Sequence, residues 1–223
     1  MSEKPEWIVG AGLDTDFGGD RKSVSQGRSR FWMPKGDTRR VIFLTEGDEA
    51  PVLWEHQYKA NGNWQNWITC LKPLGIECPF CDWSEASDNN EFRRYKAAFF
   101  TIIDTSEYTD RSGTVHKNTK RLMCCKSGTA EKIKRKWMRL QEDGKPLRGA
   151  MFEIYRTNGD KSPSVGEDFE YIKHVDLDVL EDSVEFDYAE MLKPDVDAAA
   201  AAIAALKEER GIASKATSYD VPF

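Results

Sequence analysis

The sequence predicts a mainly β fold with short helices, an α+β domain, and three observations carry that expectation. Seven stretches, 39–44, 52–58, 64–70, 97–104, 119–125, 150–157 and 168–175, are rich in β-branched and aromatic residues and are separated by turn signals. Only 129–140 and 198–210 carry clear helical signals. From within the second strand to just before the fourth, His56, Cys70, Cys78 and Cys81 follow in the spacing His-x13-Cys-x7-Cys-x2-Cys. This is a knuckle inserted into a sheet.

The elements follow in order. Residues 1–36 are punctuated by Gly10, Gly12, Gly18, Gly19, Gly27 and Gly36, and their apolar residues are scattered, so they are expected to form a flexible arm, basic from Arg21 and Lys22 onward. Residues 39–44 read Arg-Arg-Val-Ile-Phe-Leu and are stopped by Gly47. In 52–58, Val52, Trp54, His56 and Tyr58 alternate with Leu53, Glu55 and Gln57, which is strand period. Asn61-Gly62 marks a hairpin turn to 64–70. The polar stretch 85–96 is expected as a helix or ordered excursion, and 97–104, Ala-Ala-Phe-Phe-Thr-Ile-Ile-Asp, as a buried strand. Residues 105–118 form a hairpin-like loop that returns through 119–125. Ile133, Trp137 and Leu140 fall at helical spacing after a cap near Ser127. A strand pair, 150–157 and 168–175, closes the core, so the domain is expected over 37–175 with a metal subdomain at about 54–84. From 176 the chain turns acidic and alanine-rich, with a helix over 198–210 capped by Asp197 and docked weakly through Ile203 and Leu206.

Composition narrows the function classes. The hydrophobic fraction of 39% and the absence of any run of about 18 apolar residues predict a soluble, cytoplasmic protein with no membrane partner. Net charge is −6, yet 117–148 holds eleven Lys or Arg against three acids, while 150–199 holds fourteen acids against four bases. A basic body with an acidic end points to nucleic acid.

Three thiols and an imidazole suit zinc, which prefers tetrahedral nitrogen and sulfur donors. Four protein ligands leave no open position, so the expected cofactor is one structural zinc ion. A redox role for Cys78-Pro79-Phe80-Cys81 is the competing interpretation. A zinc deaminase needs His-x-Glu followed by Pro-Cys-x-x-Cys, whereas His56 precedes Gln57 and Tyr58 here. No phosphate-binding loop or nucleophile elbow occurs elsewhere, and the protein is not expected to be an enzyme.

Residues 40–44, Glu49-Ala50-Pro51, His56, Asn61-Gly62-Asn63-Trp64, Cys70 and 78–81 resemble the zinc-containing single-stranded DNA-binding proteins of tailed bacteriophages, the T-even gene-32 type. The resemblance covers 37–175 and implies an oligonucleotide-binding (OB-fold) barrel with an inserted zinc knuckle. It implies ligands at His56, Cys70, Cys78 and Cys81, and a basic cleft lined by aromatics. The function implied is sequence-independent coating of single strands in replication, recombination or repair, with partners recruited by the acidic region 176–223. Arg21-Lys22-Ser23 is similar to that family's motif for self-association on DNA.

Stacking needs flat rings and phosphates need cations. The candidates are Tyr58, Trp64, Trp67, Tyr95 and Phe99 for bases, and Arg39, Arg93, Arg94, Lys96, Lys120 and Lys126 for phosphates, with Phe100, Ile102 and Trp137 assigned to the core. The terminal Asp220-Val221-Pro222-Phe223 is similar to the Asp-Ile-Pro-Phe tip with which bacterial single-stranded DNA-binding proteins engage partner enzymes. The alternative is a zinc-ribbon transcription or recombination factor that binds a polymerase or duplex DNA.

Overall fold

The computed structural model describes residues 5, 7–11, 30–60, 63, 64, 68–86, 92–109, 113 and 115–212. In chain order they form β1 (Ile8–Ala11), β2 (Thr38–Phe43), β3 (Pro51–His56), β4 (Lys59–Ala60), β5 (Asn63–Trp64), β6 (Ile68–Thr69), α1 (Pro79–Ala86) and β7 (Tyr95–Asp104). There follow β8 (Tyr108–Thr109), β9 (Val115–His116), β10 (Thr119–Lys126), α2 (Ser127–Glu142), β11 (Ala150–Tyr155), β12 (Asp168–His174), α3 (Tyr188–Met191) and α4 (Val196–Glu209). This is a mixed α+β arrangement on an antiparallel eight-stranded sheet.

Strand β7 is the axis of that sheet. One edge pairs with β10 from Ala97 to Asp104. The other is shared, with β3 taking the first half and β2 the second. From β2 the path continues to β11 and β12, and from β3 to β1, with β6 also pairing β3. Nine of the ten residues of β7 are buried, which explains its near-continuous apolar run: both faces of the strand are covered.

On one face Phe43, Phe100 and Phe152 meet edge to face, with centroids 5.5 Å apart in both pairs that Phe43 makes. Helix α2 closes this core with Ala130, Ile133, Trp137 and Leu140. Gly47 permits the approach, because a Cβ there would lie 2.3 Å from the Trp137 ring. On the opposite face Tyr95, Ala97 and Phe99 pack with Leu53, Leu122, Trp7 and Leu192, joined by Phe186 and Tyr188.

Three expectations are corrected. The ends of the arm 1–36 belong to the body: Trp7 is buried, β1 pairs β3, Phe31 and Met33 enter the core, and Arg30 makes an ion pair with Glu55 at 2.6 Å. Arg21, Lys22 and Ser23 lie outside the described residues. Of the helix or ordered excursion expected over 85–96, only 85 and 86 are helical among the described residues: they end α1, which opens at Pro79 directly after Cys78, where proline suits a first helical turn, and Tyr95 already begins β7. Helix α4 is capped by Asp195, not Asp197, and is not loosely docked: Ala199, Ile203 and Leu206 are buried among Cys70, Cys78, Phe80, Cys81 and Phe92.

Candidate metal centre

His56 ends β3, Cys70 follows β6, Cys78 directly precedes α1 and Cys81 lies in its first turn. The pairing of β6 with β3, with Ile68 opposite His56, returns the chain so that Cys70 reaches the histidine. The Cys70 amide donates to Trp54 O at 2.8 Å, and the Asp82 amide to Cys78 O at 3.0 Å, which fixes the backbone at the donors. One donor atom from each of the four residues lies within 4.8 Å of the other three, and all four residues are buried. These four can hold one metal ion.

The closest contacts are Cys70 Sγ to Cys81 Sγ at 3.6 Å, and His56 Nε2 to Cys78 Sγ and to Cys81 Sγ, both at 3.4 Å. His56 Nδ1 lies 2.6 Å from Phe92 O, a bond in which Nδ1–H donates and Nε2 is left to face the sulfurs. Burial disfavours a charged imidazole, yet the Cys70 and Cys78 sulfurs outweigh it and raise His56 to about 9. Contacts with the Cys70 and Cys81 sulfurs push the Cys78 thiol down. Contacts with the Cys70 and Cys78 sulfurs push the Cys81 thiol up. Phe80 stacks on His56 at 5.5 Å, and Trp54, Tyr58 and Trp83 are half-buried against the cluster.

The expected DNA residues do not gather on one surface. Arg94 lies 4.6 Å from the Trp54 ring centroid and Lys96 Nζ 5.3 Å from it, beside the metal cluster. Tyr58 packs on Phe80, centroids 5.4 Å apart, and Arg93 is exposed next to Arg94. Lys126 of β10 and Tyr95 of β7 are on the other face of the sheet, with Lys126 Nζ 3.6 Å from the Tyr95 centroid and 3.0 Å from Gln57 Oε1. Tyr95 is 6% exposed and Phe99 0%, so neither offers a face to a base in this conformation. Their rings fill the second core, a correction to their assignment as stacking residues.

Arg39 and Lys120 sit at the far end of β7, about 30 Å along the strand. Arg39 is held by Asp37 at 2.7 Å and Asp104 at 3.2 Å. Lys120 is held by Asp182 at 2.6 Å and Val184 O at 3.1 Å, over Phe186. The side chain of Trp64 and all of Trp67, Asp220, Val221, Pro222 and Phe223 lie outside what is described.

Residues not singled out in the sequence join the site. Lys207 and Arg210 of the C-terminal helix lie 6.0 Å and 5.3 Å from the Trp83 centroid, and Arg210 lies 5.1 Å from that of Phe92. Trp83 stands two residues after Cys81, a proximity that signals its place, but nothing local assigns Lys207 or Arg210. Among the described residues no helix is long and apolar enough to cross a membrane. Compared with known proteins, the chain matches no family model and no curated protein.

Proposed function

We propose that this is a single-stranded DNA-binding protein whose His56, Cys70, Cys78 and Cys81 hold one structural zinc ion. Zinc–sulfur bonds of about 2.3 Å and zinc–nitrogen bonds of about 2.0–2.1 Å would place tetrahedral donors about 3.5–3.8 Å apart. The sulfur and imidazole contacts of 3.4–3.6 Å are compatible with that set. With four protein donors, the ion serves as a brace that ties β3, β6 and α1 together.

The observation that carries the DNA reading is the collar of rings and cations around this brace. Trp54 bears Arg94 and Lys96, Trp83 bears Lys207 and Arg210, and both rings are half-buried on the cluster. Flat rings take bases of any sequence and neighbouring cations take phosphates, which is the chemistry of sequence-independent binding. An oligonucleotide-binding barrel is the architecture that goes with it. In support, β7 divides one edge between β3 and β2, as a bent central strand does, and α2 connects β10 to β11 across one end of the core.

The test is a titration of zinc-loaded protein with single-stranded and duplex oligonucleotides, followed by tryptophan fluorescence, with metal content measured on the same sample. Quenching by single strands irrespective of sequence, and weaker competition by duplex, is the expected result. Preference for duplex would favour a zinc-ribbon transcription or recombination factor instead.

A further inference from the structure

A further group of cations lies outside both the collar and the residues assigned to DNA above. Lys132, Arg135, Lys136 and Arg139 recur at intervals of three, one and three along α2, so they share one helical face. With Glu167, Asp168 and Phe169 at the start of β12 they line a groove of about 420 Å³. Ala130, Ile133, Trp137 and Leu140 of α2 point into the core, which turns this basic face outward.

The groove is organised for an anion. Lys132 Nζ donates to Glu167 O at 2.6 Å, pinning the helix to the strand. The Glu167 carboxylate is already taken by the Thr157 amide at 3.2 Å and the Ser162 hydroxyl at 3.3 Å. Among the described residues, no carboxylate makes an ion pair with Arg135, Lys136 or Arg139; Arg135 Nε donates to the Glu131 carbonyl within the helix. Four cations against two carboxylates leave the lining at +2.

We infer that this face of α2 is a phosphate-binding track for nucleic acid, separate from the ring-bearing collar. The inference rests on the single-strand reading above. Arg135 and Arg139 stand one turn apart, about 6 Å along the axis, a step comparable with that between successive phosphates of a strand. Guanidinium groups grip phosphate oxygens in pairs. The floor is the fully buried Phe169, which offers no ring face, so the groove holds backbone and leaves bases to be stacked elsewhere. An extended strand leaving the collar would thus be held at two places.

The test compares wild type with the variant Arg135→Ala/Lys136→Ala/Arg139→Ala and with the charge-preserving Arg135→Lys/Arg139→Lys, in the full chain. Binding of a labelled oligo-dT is followed by anisotropy over a salt series. Loss of about three phosphate contacts makes the slope of log K against log salt shallower by about 2. The Lys pair keeps the slope near that of wild type, and thermal melting of the triple variant stays close to that of wild type, because Arg135 and Arg139 are exposed, Lys136 is half-buried and alanine favours the helix. Wild-type affinity and slope in the triple variant would overturn the track and leave the collar reading intact. Failure of wild type to bind oligo-dT would overturn the single-strand reading and the track with it. Displacement of oligo-dT by polyglutamate at lower charge concentration would reassign the groove to an acidic protein.

Discussion

The guanidinium of Arg94 lies 4.6 Å from the Trp54 ring centroid, and its Nη1 stands 4.0 Å from Cys70 Sγ. One cation therefore touches both the collar and the metal cluster. With zinc, three thiolates and a neutral imidazole would carry a net charge of −1, which Arg94 offsets. A collar ring that binds bases should be felt in affinity without loss of the metal. Trp54→Ala is expected to weaken oligo-dT binding by about 1–3 kcal/mol, and Trp54→Phe by much less. Equal affinity of Trp54→Ala and wild type in a fluorescence titration would remove Trp54 from the site.

Metal removal should reach the C-terminal helix. Ile203 and Leu206 are buried against the residues that carry the sulfurs, and Thr69 Oγ1 donates to Leu192 O at 2.9 Å one residue before Cys70. Chelation, or Cys78→Ser, is expected to lower the melting temperature and to cut hydrogen-exchange protection in α4 at least about ten-fold. Unchanged protection of α4 beside a disordered knuckle would refute this coupling.

Truncation separates two roles of the C-terminal region. A chain ending at 175 loses Tyr188, whose hydroxyl lies 2.6 Å from Thr45 Oγ1 and donates or accepts at Thr101, together with Leu192, Ile203 and Leu206. Each buried aliphatic side chain removed costs about 1.5–3 kcal/mol, so that chain should be unstable. The acidic segment can also compete with phosphate for a cation, since Asp182 neutralises Lys120; Asp182→Asn removes that charge and should raise DNA affinity most at about 0.01 M salt, where screening is weakest. No change at low salt would argue against that competition.

Gly166 has φ +86°, and a Cβ there would lie 2.2 Å from Ile154 Cγ2. Gly166→Ala combines a strained backbone with overpacking of a core residue. The expected loss is about 2–4 kcal/mol in urea unfolding. A loss below about 0.5 kcal/mol would mean that the 163–167 turn yields freely.

Lys126 gives a pH signature. Burial lowers it to about 8, against the partly compensating charges of Cys124 and Glu55, with Arg30 adding to the depression. Between pH 8 and 10.5 the unfolded chain binds this proton and the folded chain does not, so the Lys126 contribution to stability rises with pH across that window. Its size is on the order of 3 kcal/mol. Subtracting the Lys126→Met stability curve from that of wild type should show this rise; a flat difference would show that Lys126 keeps its charge on folding.

Much of this molecule was legible along the chain because the signals are local. The donors His56, Cys70, Cys78 and Cys81 declare themselves by residue type and spacing, the strands by period two and turn residues, and α2 by Ile133, Trp137 and Leu140. What tertiary structure decided is which face each element shows to which neighbour. Phe99 and Tyr95 look like stacking rings in sequence, but Trp7 and Leu192, from opposite ends of the chain, cover their face of β7. Arg39 and Lys120 look free, but Asp104 and Asp182 reach them from 65 and 62 residues away. The Ala-rich helix looks loose, but it packs on the cluster that carries Cys70, Cys78 and Cys81. Periodicity sets which residues share a face; only the return of distant chain segments determines whether that face, or its charge, remains available.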